Sequence, residues 1–187
     1  MGICMPEDVQ GFRDRQLSGL TNEIGVYALC DLDGVPIYVG RSVQGIRSRV
    51  RRHLTSARSD AIANRQLDVW EVGFVRAYPV DRANIAELES FLIHKFHREK
   101  PLMQGDFPAI VERLPFQVPT VEEVQVLPDA IIEQRRNPAV RLPRQAQFFY
   151  QLVDHILNVK DQPFLRKTLQ SHFDRLSTYC ETFLDDN

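Results

Sequence analysis

Two phenols, a guanidinium, an imidazole and a carboxylate form a set able to attack a phosphodiester. Tyr27, Tyr38, Arg49, His53 and Glu89 are spaced so that a short fold can gather them around one phosphate. Breaking that linkage needs a water deprotonated, charge on the phosphate oxygens neutralised and a departing alkoxide stabilised. A guanidinium grips two phosphate oxygens through a planar fork and stays charged at any working pH, which suits Arg49 to the phosphate. A carboxylate suits a hard cation, and magnesium, reluctant to shed its waters, can be held by a single one. Glu89, at the margin of an apolar helical stripe, is one candidate ligand and Glu87 the competing one. A phenol titrates at about pH 10. A tyrosine acting as base therefore needs cations nearby, which Arg41 and Arg49 supply, and His53 can exchange a proton near neutral pH.

The elements that must position these groups begin with a hairpin. Ile24 to Cys30 and Val35 to Gly40 are apolar and strand-prone, and Asp33-Gly34 between them tolerates the positive φ angles of a tight turn. With those two at the turn centre, Leu32 faces Val35, Leu29 faces Tyr38 and Tyr27 faces Gly40. Both tyrosines then share one face, with a gap beside Tyr27; a one-residue slip would part them. Strand aromatics also pack without catalysing anything, and the hairpin alone leaves that open. The next stretch carries Arg41, Arg47, Arg49, Arg51, Arg52, Arg58 and His53 with no acid before Asp60, in a chain whose formal charge is -2. A basic block on an acidic background points to a polyanion. As a helix it projects Arg49 and His53 from one face, while Arg47, Arg51 and Arg58 read equally well as solvated charge. A third strand is expected over Val69 to Val80, with Trp70 in the core, and then a helix over Ala83 to Phe96.

The ordered parts Gly25-Val26-Tyr27, Tyr38-Val39-Gly40, Arg49-x-x-x-His53 and Glu89-Ser90-Phe91-Leu92-Ile93-His94 resemble the GIY-YIG nuclease family over about residues 24–105. The resemblance implies a small α/β (α+β) domain with a three-stranded antiparallel sheet flanked by helices. It implies hydrolysis of DNA with Mg2+ or Mn2+ held by Glu89, the frame excluding Glu87. It further implies Tyr27 as general base with Tyr38 on the phosphate or water, Arg49 as catalytic arginine with Arg47 in reserve, and His53 as a relay. Arg41 takes the basic position after the second motif, and Arg47, Arg52 and Gln104 join it facing DNA. Gln104 stands where many members have asparagine, retaining an amide able to donate a supporting hydrogen bond. Restriction or defence, repair and mobile-element roles all fit a small nuclease of this kind. The alternative is a catalytically silent nucleic-acid-binding or regulatory module that keeps the fold, with Gln104 as its support.

The rest of the chain bounds the setting. Of 187 residues, 43% are apolar and 26% charged, which places the chain among ordinary globular domains, and no run is long and apolar enough to span a membrane. Cys4, Cys30 and Cys180 are odd in number and far apart, arguing against a disulfide framework or a zinc site. Residues 1–19 read as a helical segment, with a short polar helix over Pro6 to Gln16 and no signal pattern, so a cytoplasmic location is expected. Residues 20–107 form the catalytic domain and 108–144 a proline-rich connector. Residues 145–187 read as a helical hairpin whose apolar faces pack on that domain or on a second copy, giving a homodimer. Arg135, Arg136, Arg141 and Arg144 before the hairpin read evenly as an extended phosphate track or as surface charge. No reader of base edges is legible.

Overall fold

The computed structural model describes residues 8–55 and 63–185; Cys4, Arg58 and Asp60 lie outside them. The chain runs α1 (Val9–Ser18), β1 (Gly25–Cys30), β2 (Pro36–Ser42), α2 (Ile46–Thr55) and β3 (Phe74–Pro79). A 3-10 turn then leads into α3 (Ile85–Glu99), followed by β4 (Glu122–Gln125), α4 (Asp129–Arg136), α5 (Pro138–Asn158) and α6 (Pro163–Asp185). The sheet is antiparallel throughout, in the order β2-β1-β3-β4.

All six residues of β1 are buried because both faces of the sheet are covered. Tyr27 and Leu29 pack with Leu17 of α1 and Ile46, Val50 and Leu54 of α2. Val26, Ala28 and Cys30 meet Leu88, Leu92 and Phe96 of α3 on the other face. The valine, leucine, isoleucine and phenylalanine side chains among these contribute about 1.5–3 kcal/mol each when fully buried. Cys30 is the small buried residue expected, and burial pushes its thiol up to about 12.

The hairpin keeps the expected register where it matters: Tyr27 pairs with Gly40 and Leu29 with Tyr38. Its turn is one residue longer than expected. Asp31 N–H donates to the Val35 carbonyl at 2.8 Å and Gly34, at φ 76°, donates back to Asp31. The Asp31 carboxylate also accepts from the N–H groups of Asp33 and Val35. A bulge after Leu29 pairs Cys30 with Pro36 and absorbs the extra residue. The outer edge of β2 is closed by the residues after α3: Met103 N–H donates to the Ile37 carbonyl, and Val39 N–H to Gln104 Oε1 at 2.6 Å.

Three expectations are corrected. The sheet has four strands, not three, because Glu122–Gln125 pair with Phe74–Ala77 from inside the supposed connector, where Arg76 meets Glu123. The third strand starts at Phe74, since Asp68 accepts from Trp70 N–H and Glu71 N–H bonds the Asp68 carbonyl, making a turn. Trp70 is therefore outside the core, 40% exposed, with Arg135 over its ring at 4.7 Å and Arg13 at 5.6 Å. Finally, α5 begins at Pro138, seven residues ahead of the expected hairpin, because Asn137 accepts from Ala139 N–H and proline suits the first helical position.

The helical pair docks on the sheet domain through buried charge. Arg141 binds Glu71 and Asp33, and Arg144 binds Asp68 and Glu71. Arg175, 1% exposed, reaches Asp31 Oδ2 and the carbonyls of Pro36 and Pro101, each at 2.9 Å. Arg136 pairs with Asp33 at 2.8 Å. The phosphate-track reading of Arg141 and Arg144 fails, because the acidic loops beneath them capture both guanidinium groups. Among the described residues, no helix is long and apolar enough to cross a membrane.

Candidate active site

Each functional side chain is placed by a local device. Asn22 Oδ1 accepts from the N–H and hydroxyl of Ser48, and Ser42 Oγ donates to the Gly45 carbonyl, fixing the start of α2 against the hairpin. One turn on, α2 sets His53, 2% exposed, over the tyrosine face. Tyr27 Oη lies 2.8 Å from His53 Nε2. The Tyr27 and Tyr38 rings stack with centroids 6.5 Å apart, and His53 sits 5.8 and 5.7 Å from them. Gly40 makes this approach possible: a Cβ there would lie 2.5 Å from Tyr27 Oη.

Burial holds the Tyr27 phenol far above its ordinary value; Tyr38 and Glu89 add to the rise and the Arg49 guanidinium opposes it. The expected lowering by cations is thus outweighed by desolvation. Tyr27 is 1% exposed, so its hydroxyl meets His53 and not solvent.

A cleft of about 550 Å3 opens beside β2, with Tyr38, Glu89, Gln104 and Asp106 in its wall. Tyr38 comes from one face of the sheet and Glu89, on α3, from the other, so the cleft straddles the strand. Tyr27, with the Arg49 guanidinium near its hydroxyl, and His53 stand behind Tyr38. Glu89 is partly buried and pairs with Arg41 Nε at 3.3 Å. Burial raises its carboxyl and Arg41 opposes the shift. Glu87 is exposed on α3, away from this wall.

Other expected residues sit apart. Arg47 Nε donates to the Leu20 carbonyl at 2.6 Å, which ties α2 to the loop before β1 instead of aiming it at the cleft. Arg52 is exposed on α2, and Arg51 pairs with Asp14. Gln104 accepts through Oε1 where donation was expected, so the amide braces β2 between Tyr38 and Gly40. Sequence reasoning missed Asp106, Phe107 and Phe164 in the cleft wall. Phe164 was legible as the start of a helix, but its place beside Glu89 depends on how α6 docks.

Among the described residues, no group of three or more His, Cys, Asp or Glu is arranged to hold a metal ion. The donor set at the cleft is the Glu89 carboxylate, with Asp106 also in the wall. A sparse anionic oxygen set fits magnesium, which keeps most of its waters, and does not fit a soft or tightly caged ion.

No curated protein and no solved structure was found to match the chain. Residues 23–102 match the family model of the GIY-YIG catalytic domain. That span covers both tyrosine motifs, Arg49, His53 and Glu89, of which Tyr38 and Glu89 line the cleft. Residues 23–102 of this chain are a GIY-YIG catalytic domain, the catalytic unit of a nuclease family.

Proposed function

We propose that this chain is a metal-dependent endonuclease that hydrolyses DNA phosphodiester bonds. The observation that carries the reading is the convergence of Tyr38 and Glu89 in one cleft, backed by a Tyr27–His53 pair at hydrogen-bond distance and by Arg49. Arg49 and Arg41 hold the scissile phosphate, and a charged guanidinium aimed at the developing oxyanion is worth most where water is excluded. Glu89 would hold Mg2+ or Mn2+, which when bound would supply Lewis-acid stabilisation of the departing oxygen. Tyr38 meets the attacking water, a role its cleft position favours over the buried Tyr27. Tyr27 and His53 orient Tyr38 from behind.

Gln104 supports an active protein and not a silent one, because its amide holds β2 in place. The function belongs with cytoplasmic DNA in restriction or defence, repair or mobile-element biology. The exposed Tyr150, Leu157 and Phe173 on α5 and α6 favour a homodimer through those helices, which would pair two single-strand cuts. The test is nicking of supercoiled plasmid with magnesium, manganese or chelator. Metal-dependent nicking that disappears in Glu89→Ala and Tyr38→Phe proteins supports the reading. Full activity of Glu89→Ala in magnesium sinks it.

A further inference from the structure

Glu89 is the carboxylate that the cleft offers a divalent cation, and it already has a cationic neighbour. Arg41 Nε lies 3.3 Å from Glu89 Oε2, joining β2 to α3. Strand alternation puts Arg41 on the same face as Val39, which packs with Val26 and α3, while Tyr38 packs toward α2. The contact differs from the ion pairs that dock the helical pair. Arg144 meets Glu71 at 2.6 Å with the carboxylate 2% exposed. The Arg41 side chain is 52% exposed, and its separation from Glu89 exceeds the roughly 2.7–2.9 Å of a charge-assisted hydrogen bond. A pair of this kind adds little to stability and opens at small cost. What it supplies is charge. Glu89 is partly buried, Asp106 adds a second negative charge to the same wall, and an uncompensated carboxylate there is unfavourable. A guanidinium and a divalent cation are therefore rivals for one carboxylate. The guanidinium has a second claimant as well, because its planar fork fits two phosphate oxygens.

We propose that Arg41 is a latch on Glu89: its guanidinium competes with a divalent cation for the carboxylate until a phosphate of the substrate draws it away, so that DNA and the divalent cation bind cooperatively. The proposal rests on the nuclease reading and states how that site is regulated. Each ligand removes a competitor of the other. By linkage, the factor by which DNA raises affinity for the cation is the factor by which the cation raises affinity for DNA. Arg41 thereby favours loading of the cation once a phosphate is in place.

The test uses Mn2+ as the probe on the full chain, with free Mn2+ read by electron paramagnetic resonance and Glu89→Gln identifying the site. Arg41→Gln is expected to bind Mn2+ roughly two- to fivefold tighter than the parent, the range an exposed ion pair supplies. Arg41→Lys, which keeps a charge on the same strand position, should stay close to the parent. Arg98→Gln removes the same charge from an exposed position of α3, nine residues from Glu89. That is about 13 Å along the helix, beyond the roughly 8 Å screening length at physiological salt, so Mn2+ binding should not change. Duplex DNA binding is then read by fluorescence anisotropy with and without Mn2+ in a Tyr38→Phe background, which is expected not to cut. Adding Arg41→Gln should weaken DNA binding and shrink the gain from Mn2+ by the same two- to fivefold factor. Tighter Mn2+ binding together with weaker DNA binding is a split that a merely structural arginine would not give. Mn2+ affinity unchanged in Arg41→Gln, or raised equally in Arg98→Gln, overturns the latch, and plasmid nicking by the parent then leaves the nuclease reading standing. The expected split in a parent that nicks no DNA form supports the latch and sinks the nuclease reading.

Discussion

Replacing Arg175 by methionine removes a fully buried charge while keeping most of its aliphatic bulk. The guanidinium now bonds Asp31 Oδ2 and the carbonyls of Pro36 and Pro101, each at 2.9 Å, with both ionic partners 1% exposed. Without it the Asp31 carboxylate keeps its bonds to Asp33 and Val35 N–H groups but loses its close cation; Arg141 Nη2 remains 3.8 Å away. Breaking a buried pair on one side costs about 3–5 kcal/mol, and each orphaned carbonyl adds about 1 kcal/mol. Partial rescue by Arg141 brings the expected loss to about 4 kcal/mol, a large share of the 5–15 kcal/mol typical of a whole domain. Urea unfolding followed by circular dichroism measures it. The double variant Asp31→Asn with Arg175→Met should recover part of the loss, because neither charge is then left buried alone. A single variant within about 1 kcal/mol of the parent would refute the claim that this ion pair is what docks α6. So would a double variant as unstable as the two losses added together.

Gly40→Ala should fold yet cut poorly, because its new methyl overlaps Tyr27 Oη and must push the phenol off His53 at a cost of about 1–3 kcal/mol; unchanged nicking would contradict this. Gln104→Ala should loosen β2 by about 1–3 kcal/mol through the unpaired Val39 N–H, with Gln104→Asn tested beside it for rescue; equal melting of all three proteins would remove the brace. His172, whose Nε2–H donates to the Gln66 carbonyl, is pushed down to about 4 by burial. The unfolded chain takes up a proton at about 6.5 while the fold resists it. The contribution is therefore intact above about pH 6.5 and drains away as pH falls toward 4, and His172→Gln should lessen the loss of denaturation midpoint across that window. Tyr78 and Tyr179, both pushed up to about 12 by burial, act at the other end. Stability should fall as pH rises above about 10, tracked together with tyrosinate absorbance.

Much of the site was legible because period-two geometry and turn chemistry fix which side chains share a face. Asp33-Gly34 and the apolar runs on either side gave Tyr27 opposite Gly40, and the real turn, longer by one residue, preserved that pairing only because a bulge gave the residue back. The four-residue spacing of Arg49 and His53 brought His53 onto Tyr27. What was not legible depends on contacts between distant segments. Glu122 and Glu123 do not read as a strand, yet the free edge of β3 recruits them. Arg141 and Arg144 look like a basic surface until Glu71 and Asp68 are seen beneath them. Trp70 reads as core by alternation and is expelled by an aspartate turn. The protonated state of Tyr27 depends on its burial under α2, which the sequence alone does not measure.

The flank of β2 is sealed by Met103 and Gln104, and at the opposite rim β4 is four residues long with Glu122 and Glu123 exposed. A sheet offers neighbours a template only where a row of backbone groups lies open, flat and uncharged. Among the described residues neither rim does, so intermolecular strand addition, and the fibrous aggregation that grows from it, is disfavoured at both. On α5 and α6, by contrast, the apolar side chains of Leu157 and Phe173 remain exposed.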